Sequence, residues 1–202
     1  MYIRSALFVS ALVTGTAFGA QAEAPDRYEF DKSHTHIIFM IEHLGFSKTI
    51  GRFKDYDGYF TFDEKEPAKS EVKVTLKPAS VDTSVPDLDK ALQGEKFFNT
   101  EKFPTMEFKS TAVAVTGEKT GTVTGDLTML GVTKPVTLDV TYNKSGVHPY
   151  TNNYISGFSI RTKLKRSDFG MSSYLPDVGD EVTAIIEVEG IDPFKKRDKI
   201  EK

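Results

Sequence analysis

Residues 123–142, V-T-G-D-L-T-M-L-G-V-T-K-P-V-T-L-D-V-T-Y, alternate apolar and polar side chains in two runs. Val123, Gly125, Leu127 and Met129 share one parity, and Thr124, Asp126 and Thr128 the other. Val136, Leu138, Val140 and Tyr142 then alternate with Thr137, Asp139 and Thr141. A period of two places each apolar set on one face of a strand. Gly131 and Pro135 punctuate the runs, which predicts a hairpin turning over 131–135 with one dry and one wet face.

Similar patterns recur along the chain. Tyr28 to Phe30 reads as a short strand, and His34 to His43 as a clear one with Ile37, Phe39, Ile41 and His43 on one parity. Leu44-Gly45-Phe46 turns the chain into a long strand, Thr49 to Asp63, whose Gly58 predicts a bulge or bend. Glu71 to Lys77 follows, with Val72, Val74 and Leu76 inside. Residues 82–103 break the alternation: 82–87 reads as a turn, and over 87–98 Leu88, Leu92 and Phe97 stand near helical spacing and predict one or two short helices. Strands resume at Thr105–Val115, Thr120–Leu130, Thr133–Asn143, Tyr154–Arg166 and Glu181–Glu189, with loops at 144–153 and 167–180.

Dry faces must be buried together, and closure removes exposed edges. The pattern therefore predicts an all-β fold, an eight-stranded antiparallel barrel with a short helical insert; a sandwich is the alternative. The insert reads equally as a lid or as a plug for one end. Strands of about ten residues extend roughly 30 Å. Eight strands leave an interior that is either filled or holds one small or thin ligand. The inward Phe, Ile, Val and Leu make any such ligand apolar.

The N-terminus changes the setting. Met1 to Arg4 is a positive start, Ser5 to Phe18 a short apolar run, and Ala20-Gln21-Ala22 a small-x-small cleavage pattern. This is the pattern of a signal peptide, 1–22, cleaved after Ala22 to export a single domain, 23–202. No cysteine occurs, so disulfides, thiol catalysis and thiolate metal sites are excluded. No later apolar run is long enough for a transmembrane helix. Without Arg4 the exported chain carries 25 basic against 29 acidic side chains, which argues against nucleic acid as a partner. Fifteen Phe and no Trp suit a greasy interior.

Little in the chain points to catalysis. His34 and His36 share a strand face, but no acidic third ligand stands in register, so no metal site is expected. No G-x-S-x-G elbow and no Gly-rich phosphate loop is present. Arg161, Lys163 and Lys165 form one solvated face. Arg166 and Asp168 are candidates to pair and close their loop, although their types alone do not separate that role from ligand contact.

Several motifs resemble the YceI-like family. They include His43-Leu44-Gly45, Gly51-Arg52-Phe53, Gly58-Tyr59-Phe60-Thr61-Phe62-Asp63, Ala79-Ser80-Val81-Asp82-Thr83 and Phe97-Phe98-Asn99. Further along stand Lys102-Phe103-Pro104-Thr105-Met106-Glu107-Phe108, Gly125-Asp126-Leu127-Thr128, Gly131-Val132-Thr133-Lys134-Pro135-Val136 and Lys165-Arg166-Ser167-Asp168-Phe169-Gly170-Met171. The resemblance spans the exported chain in order. It implies a periplasmic, lipocalin-like barrel that binds a long polyisoprenoid or similar lipid, in some relatives an isoprenoid quinone or an amide lipid, with no established catalytic residue. Family members can pair, so a homodimer is an expectation, although no exposed apolar stripe demands one. One segment departs from the family. Where members show D-x-H-L-R-S-x-D-F-F, this chain has Asp89-Lys90-Ala91-Leu92-Gln93-Gly94-Glu95-Lys96-Phe97-Phe98, which puts any polar role of that segment in doubt.

The expected function is a non-enzymatic lipid carrier or store with no cofactor beyond the bound polyisoprenoid or isoprenoid quinone. The expected lining is Ile37, Phe39 and Ile41, with His43 the one polar inward residue of that strand; Phe60 and Phe62; Val74; Met106 and Phe108; Leu127; Leu138; Phe158 and Ile160; and Ile186. The alternatives are an enzyme acting on an isoprenoid quinone or lipid through His43, and a stress-linked structural protein with a filled barrel.

Overall fold

The computed structural model describes residues 25–196; the expected signal peptide lies outside the described residues. Strands β1 (Asp26–Phe30) and β2 (His36–His43) form one long strand interrupted at 31–35. Strands β3 (Ser47–Phe53) and β4 (Tyr56–Phe62) form a second, interrupted at 54–55. These two run antiparallel as one bent hairpin, with His43 opposite Ser47 at its tip and Glu29 opposite Tyr59 beyond the bend. Then come β5 (Glu71–Leu76), β6 (Val81–Asp82), α1 (Pro86–Gln93), β7 (Met106–Val115), β8 (Thr120–Met129), β9 (Val132–Val147), β10 (Asn153–Lys165) and β11 (Val178–Lys196).

The sheet order is β1-β4-β5-β7-β8-β9-β10-β11, and β11 closes it. Along one edge β11 pairs with β10. Along the other it pairs with β2 (Ile186 opposite Ile37) and then with β1 (Ile191 opposite Glu29). Counting each interrupted strand once, eight antiparallel strands form a closed barrel, with β6 added on the outer edge of β3. The barrel predicted from alternation is the observed fold.

The bend has its own hydrogen-bond logic. Backbone donors released where a strand breaks must find other acceptors. The Ser80 hydroxyl accepts from the amides of Lys54 and Asp55 at 3.1 and 2.9 Å. This lets β3 leave β5 and pair with β6 instead. The expected single strand 49–63 is therefore two strands, and the break falls at 54–55 rather than at Gly58. Gly58 sits in an unbroken β4–β5 ladder opposite Val74, so no bulge forms there. With φ +140° and the Lys73 carbonyl where a β-carbon would project, it serves a close approach of two backbones.

The hairpin of 123–142 is present, with a tighter turn than expected. Leu130 and Gly131, both at positive φ, form a two-residue loop, and Pro135 lies inside β9 opposite Asp126. Strand β10 pairs with β9 only as far as Asp139, so the missing N–H of Pro135 falls where β9 has no further neighbour. Thr124 and Thr137 meet through their hydroxyls at 3.1 Å, and the exposed Asp126 and Asp139 complete the wet face. The loops are shorter than expected: β9 runs on to Val147, and β11 spans 178–196.

The insert holds one α-helix. Pro86 sits in its first turn, where no N–H is needed, and Asp87 and Asp89 sit near the positive end of its dipole. Asp89 also accepts from both the amide and the hydroxyl of Thr83 at 2.7 Å. Gln93, within the segment that departs from the family pattern, donates to the Ala79 carbonyl at 3.1 Å. The connections place this insert, the β2–β3 tip, the β8–β9 turn and the 166–177 loop at one end of the barrel.

Candidate functional site

The barrel encloses a cavity of about 750 Å³. All eight strands contribute walls, and the apolar parity of each faces inward. Every residue expected from the alternation lies on this lining: Ile37, Phe39, Ile41 and His43 from β2; Phe60 and Phe62 from β4; Val74 from β5; Met106 and Phe108 from β7; Leu127 and Leu138 from β8 and β9; Phe158 and Ile160 from β10; and Ile186 from β11. Ile37, Phe39, Ile41, Val74, Phe108, Leu127, Ile160 and Ile186 are only half-buried. They point into the barrel without filling it. His43 stands at the exposed rim.

The lumen stays open because of where the rings go. The far edge of the Phe39 ring sits where a β-carbon of its cross-strand partner Gly51 would stand. The Phe108 ring overlies Gly125 on β8 in the same way, and Phe60 overlies Gly190 on β11. Three large side chains thus lean along the wall onto glycines instead of crossing the tube.

The ends differ. Away from the helix, Phe60, Phe62, Phe158 and Tyr142 pack together, with Phe62 and Phe158 edge to face at 5.0 Å. Tyr28 stacks on Phe60 at 5.0 Å, and burial pushes its phenol well above the ordinary tyrosine range. At the helix-bearing end, Leu88, Ala91 and Leu92 of α1 and Phe97 and Phe98 after it line the cavity. Tyr174 stacks on Phe97 at 5.9 Å, so the 166–177 loop meets the insert there. The ionisable lining residues stand towards the ends: His43, Glu107 and Arg166 at the helix-bearing end, and Glu64, Glu71, Glu118 and Lys119 at the other.

Arg166 is the largest of the fully buried side chains, 2 % exposed. Its expected pairing with Asp168 does not occur. Its Nε donates to the Gly179 carbonyl at 2.8 Å, Nη1 to Met171 at 3.1 Å and Nη2 to Val178 at 3.0 Å. Burial pulls its guanidinium below the ordinary value, opposed by the charge of Asp180. Asp180 binds the amide and hydroxyl of Ser167 at 2.9 and 2.8 Å. A turn motif in sequence shows its charges but not which backbone oxygens they will reach. For that reason Arg166 was not among the expected lining residues. Val123, Val136, Val140, Val182, Ala184 and Val188 also line the cavity; they share the inward parity and the same rule finds them.

The histidines require a correction. His34 precedes β2 rather than sharing its face with His36. Acidic neighbours do stand beside it: its Nδ1 lies 2.8 Å from Asp31 Oδ2 and 4.0 Å from Glu189 Oε2. The Asp31 bond, together with the Ser33 amide on the same carboxylate, closes the turn between β1 and β2. Arg161 and Lys163 lie on the outside, paired with Glu187 and Glu181. Among the described residues no helix is long and apolar enough to cross a membrane.

A closed antiparallel barrel around an apolar cavity defines the class of this protein. The YceI-like domain model matches residues 28–190, and the chain belongs to that family. A UPF0312 protein of Ectopseudomonas mendocina (strain ymp) is 44 % identical over 186 residues, covering 91 % of this chain and 96 % of its own. Among solved structures, BcnA of Burkholderia cenocepacia superposes with a TM-score of 0.72 at 24 % identity, covering 79 % of this chain and 98 % of its own. A polyisoprenoid-binding domain from Saccharophagus degradans superposes with a TM-score of 0.62 at 12 % identity, covering 82 % and 98 %. At those identities the two structures show a shared fold.

Proposed function

We propose that this protein binds and carries a long-chain isoprenoid or similar amphipathic lipid in its barrel, as a binding protein rather than an enzyme, and that it does so in the periplasm after cleavage behind Ala22. The apolar cavity of about 750 Å³ carries the reading, and the polyisoprenoid-binding domain of the same fold supports it. A volume of that size lies in the range of small-molecule sites, roughly 300–1,000 Å³. Half-buried inward side chains gain their missing contacts when a tail fills the lumen.

The energetics suit a carrier. Removing a 40-carbon chain from water releases roughly 30 kcal/mol at about 0.8 kcal/mol per methylene. Affinities saturate near about 20 kcal/mol, so water is the wrong reference state. In a bilayer the tail is already dry, and transfer from bilayer to barrel is close to neutral. The Thr- and Asp-bearing outer face keeps the loaded barrel in water.

Organic extraction of the purified protein followed by mass spectrometry tests the reading. One long-chain lipid per protein is expected, and a preparation that neither yields lipid nor takes up added lipid would sink it. Export is tested separately: the periplasmic protein is expected to begin at Glu23.

A further inference from the structure

We infer that Asp31, His34 and Glu189 form a binding site for a divalent transition cation of the Zn2+ type on the outer face of the barrel. The site lies across the wall from the lumen, so it stands independently of the lipid-binding reading.

The barrel closes where β11 pairs with β2 and then with β1, and the long strand made of β1 and β2 is interrupted at 31–35 along that seam. Within the interruption a few separate bonds hold the two sides together. The Asp31 amide donates to the Glu189 carbonyl at 2.8 Å. The Thr35 hydroxyl donates to the same carbonyl at 3.1 Å and accepts from the Glu189 amide at 3.2 Å. Thr35 and Val188 face the cavity, so their neighbours His34 and Glu189 turn outward. There the His34 Nδ1 lies 2.8 Å from Asp31 Oδ2 and 4.0 Å from Glu189 Oε2, and the three ligand atoms all lie within 4.8 Å of one another.

An imidazole nitrogen with two carboxylate oxygens is a donor set suited to zinc-type ions, whereas Ca2+ and Mg2+ select oxygen ligands alone. Tetrahedral Zn2+ at its usual bond lengths sets its ligands about 3.4 Å apart. A small rotation of the exposed His34 ring brings the three donors to that spacing, and water fills the remaining position. The ion takes the Nδ1 lone pair, and any proton on that nitrogen passes to water. Charge favours the exchange: two carboxylates face one imidazole, which leaves a negative surplus even when His34 is protonated.

Glu189 is the residue that singles out this cluster. Among the described residues its carboxylate accepts no hydrogen bond, and its one ion-pair partner is His34 at 4.0 Å. The neighbouring pair, His36 opposite Glu187, is different: Glu187 is already held by Arg161 at 2.7 Å and by Ser159 at 2.5 Å. A cation held by Asp31, His34 and Glu189 ties the 31–34 turn to β11 where the closing ladder is broken. Reading along β2 alone could not find the site, because its third ligand stands on β11.

The test titrates untagged, chelator-treated protein with Zn2+ by calorimetry and follows the histidine ring resonances by NMR. One Zn2+ per chain is expected, with the His34 resonance, one of four, shifting first. The thermal midpoint is expected to rise with Zn2+ concentration. Glu189→Gln leaves the Asp31–His34 bond in place and is expected to weaken Zn2+ binding at least about tenfold. His34→Ala is expected to abolish it, and His148→Ala, beyond the end of β9, to leave it unchanged. Excess Ca2+ is expected not to compete. Should His34→Ala fail to fold, Glu189→Gln decides. Zn2+ binding that survives Glu189→Gln at full strength, or that is lost with His36→Ala or His148→Ala instead, would overturn the assignment. So would equal competition by Ca2+ or the lack of saturable binding by the wild type.

Discussion

The Phe39 ring lies over Gly51, its partner across the β2–β3 ladder, and occupies the place of the β-carbon that glycine lacks. The ring therefore leans along the wall and leaves the lumen empty. Gly51→Ala is expected to force the ring off the wall and into the tube. Overpacking of this kind costs about 1–3 kcal/mol. Bound lipid is expected to fall at the same time, because the displaced ring takes its space. Adding Phe39→Leu to Gly51→Ala is expected to restore both, as two residues in contact should not behave additively. Urea unfolding and the lipid content of the double variant check this; additive losses would show that the two sites do not communicate.

At the bend of the long hairpin, the Tyr56 hydroxyl donates to the Thr35 carbonyl at 2.8 Å. The Thr35 hydroxyl in turn donates to the Glu189 carbonyl at 3.1 Å and accepts from the Glu189 amide at 3.2 Å. This pair ties the interrupted strand to β11 where the regular ladder fails. Tyr56→Phe removes a buried donor and strands a carbonyl, at an expected cost of about 1–2 kcal/mol. Denaturant midpoints measure the loss. Hydrogen exchange is expected to speed up first in residues 31–35; an increase spread evenly over the barrel would argue against a local staple.

The all-β class, the positions of most strands and their inward faces were legible in the sequence because alternation is a local property. One inward residue fixes the parity of its whole strand, so Ile37 implies Phe39 and Ile41, and Leu138 implies Val136 and Val140. The bend at 54–55 was not legible. It depends on Ser80, 25 and 26 residues away, accepting the two freed amides. The two-residue turn at Leu130 and Gly131 was obscured by Pro135, which resembles a turn residue until the reach of β10 along β9 is known. Arg166 was ambiguous for a similar reason. Its partners are main-chain oxygens of a returning loop, and residue types cannot show those.

The Asp180 carboxyl anchors that loop in a pH-dependent way. Burial pushes its pKa up, but the amide and hydroxyl of Ser167, with the charges of Lys165 and Arg166, outweigh burial and hold it below the ordinary carboxylate value of 3.8. A carboxylate lowered on folding stabilises the native state above its unfolded pKa, and that stability is lost as pH falls through the folded value. Asp180→Asn is therefore expected to cost about 1 kcal/mol at neutral pH. The gap between variant and wild type should narrow below about pH 4. Unfolding free energies measured across the acid range test the sign; parallel curves for the two proteins would contradict it.

Ala184 offers the most direct control over the lumen. It lies on β11 between Val182 and Ile186, opposite Phe39, and lines the cavity with the smallest side chain of that inward row. Its neighbours along the row are half-buried, so there is open space beside it. A large ring placed there meets empty volume rather than packed core, which is the condition under which a small-to-large change avoids the usual strain. Ala184→Trp is thus expected to keep the barrel folded, with a thermal midpoint at or above that of the lipid-free wild type. It is also expected to lower lipid uptake by at least about tenfold, since the tail and the indole compete for the same space. The added ring also supplies a probe in a chain that otherwise has no Trp, so its fluorescence should report a dry environment. Full lipid uptake by a folded Ala184→Trp protein would place the lipid outside the barrel and refute a carrier that works through its lumen.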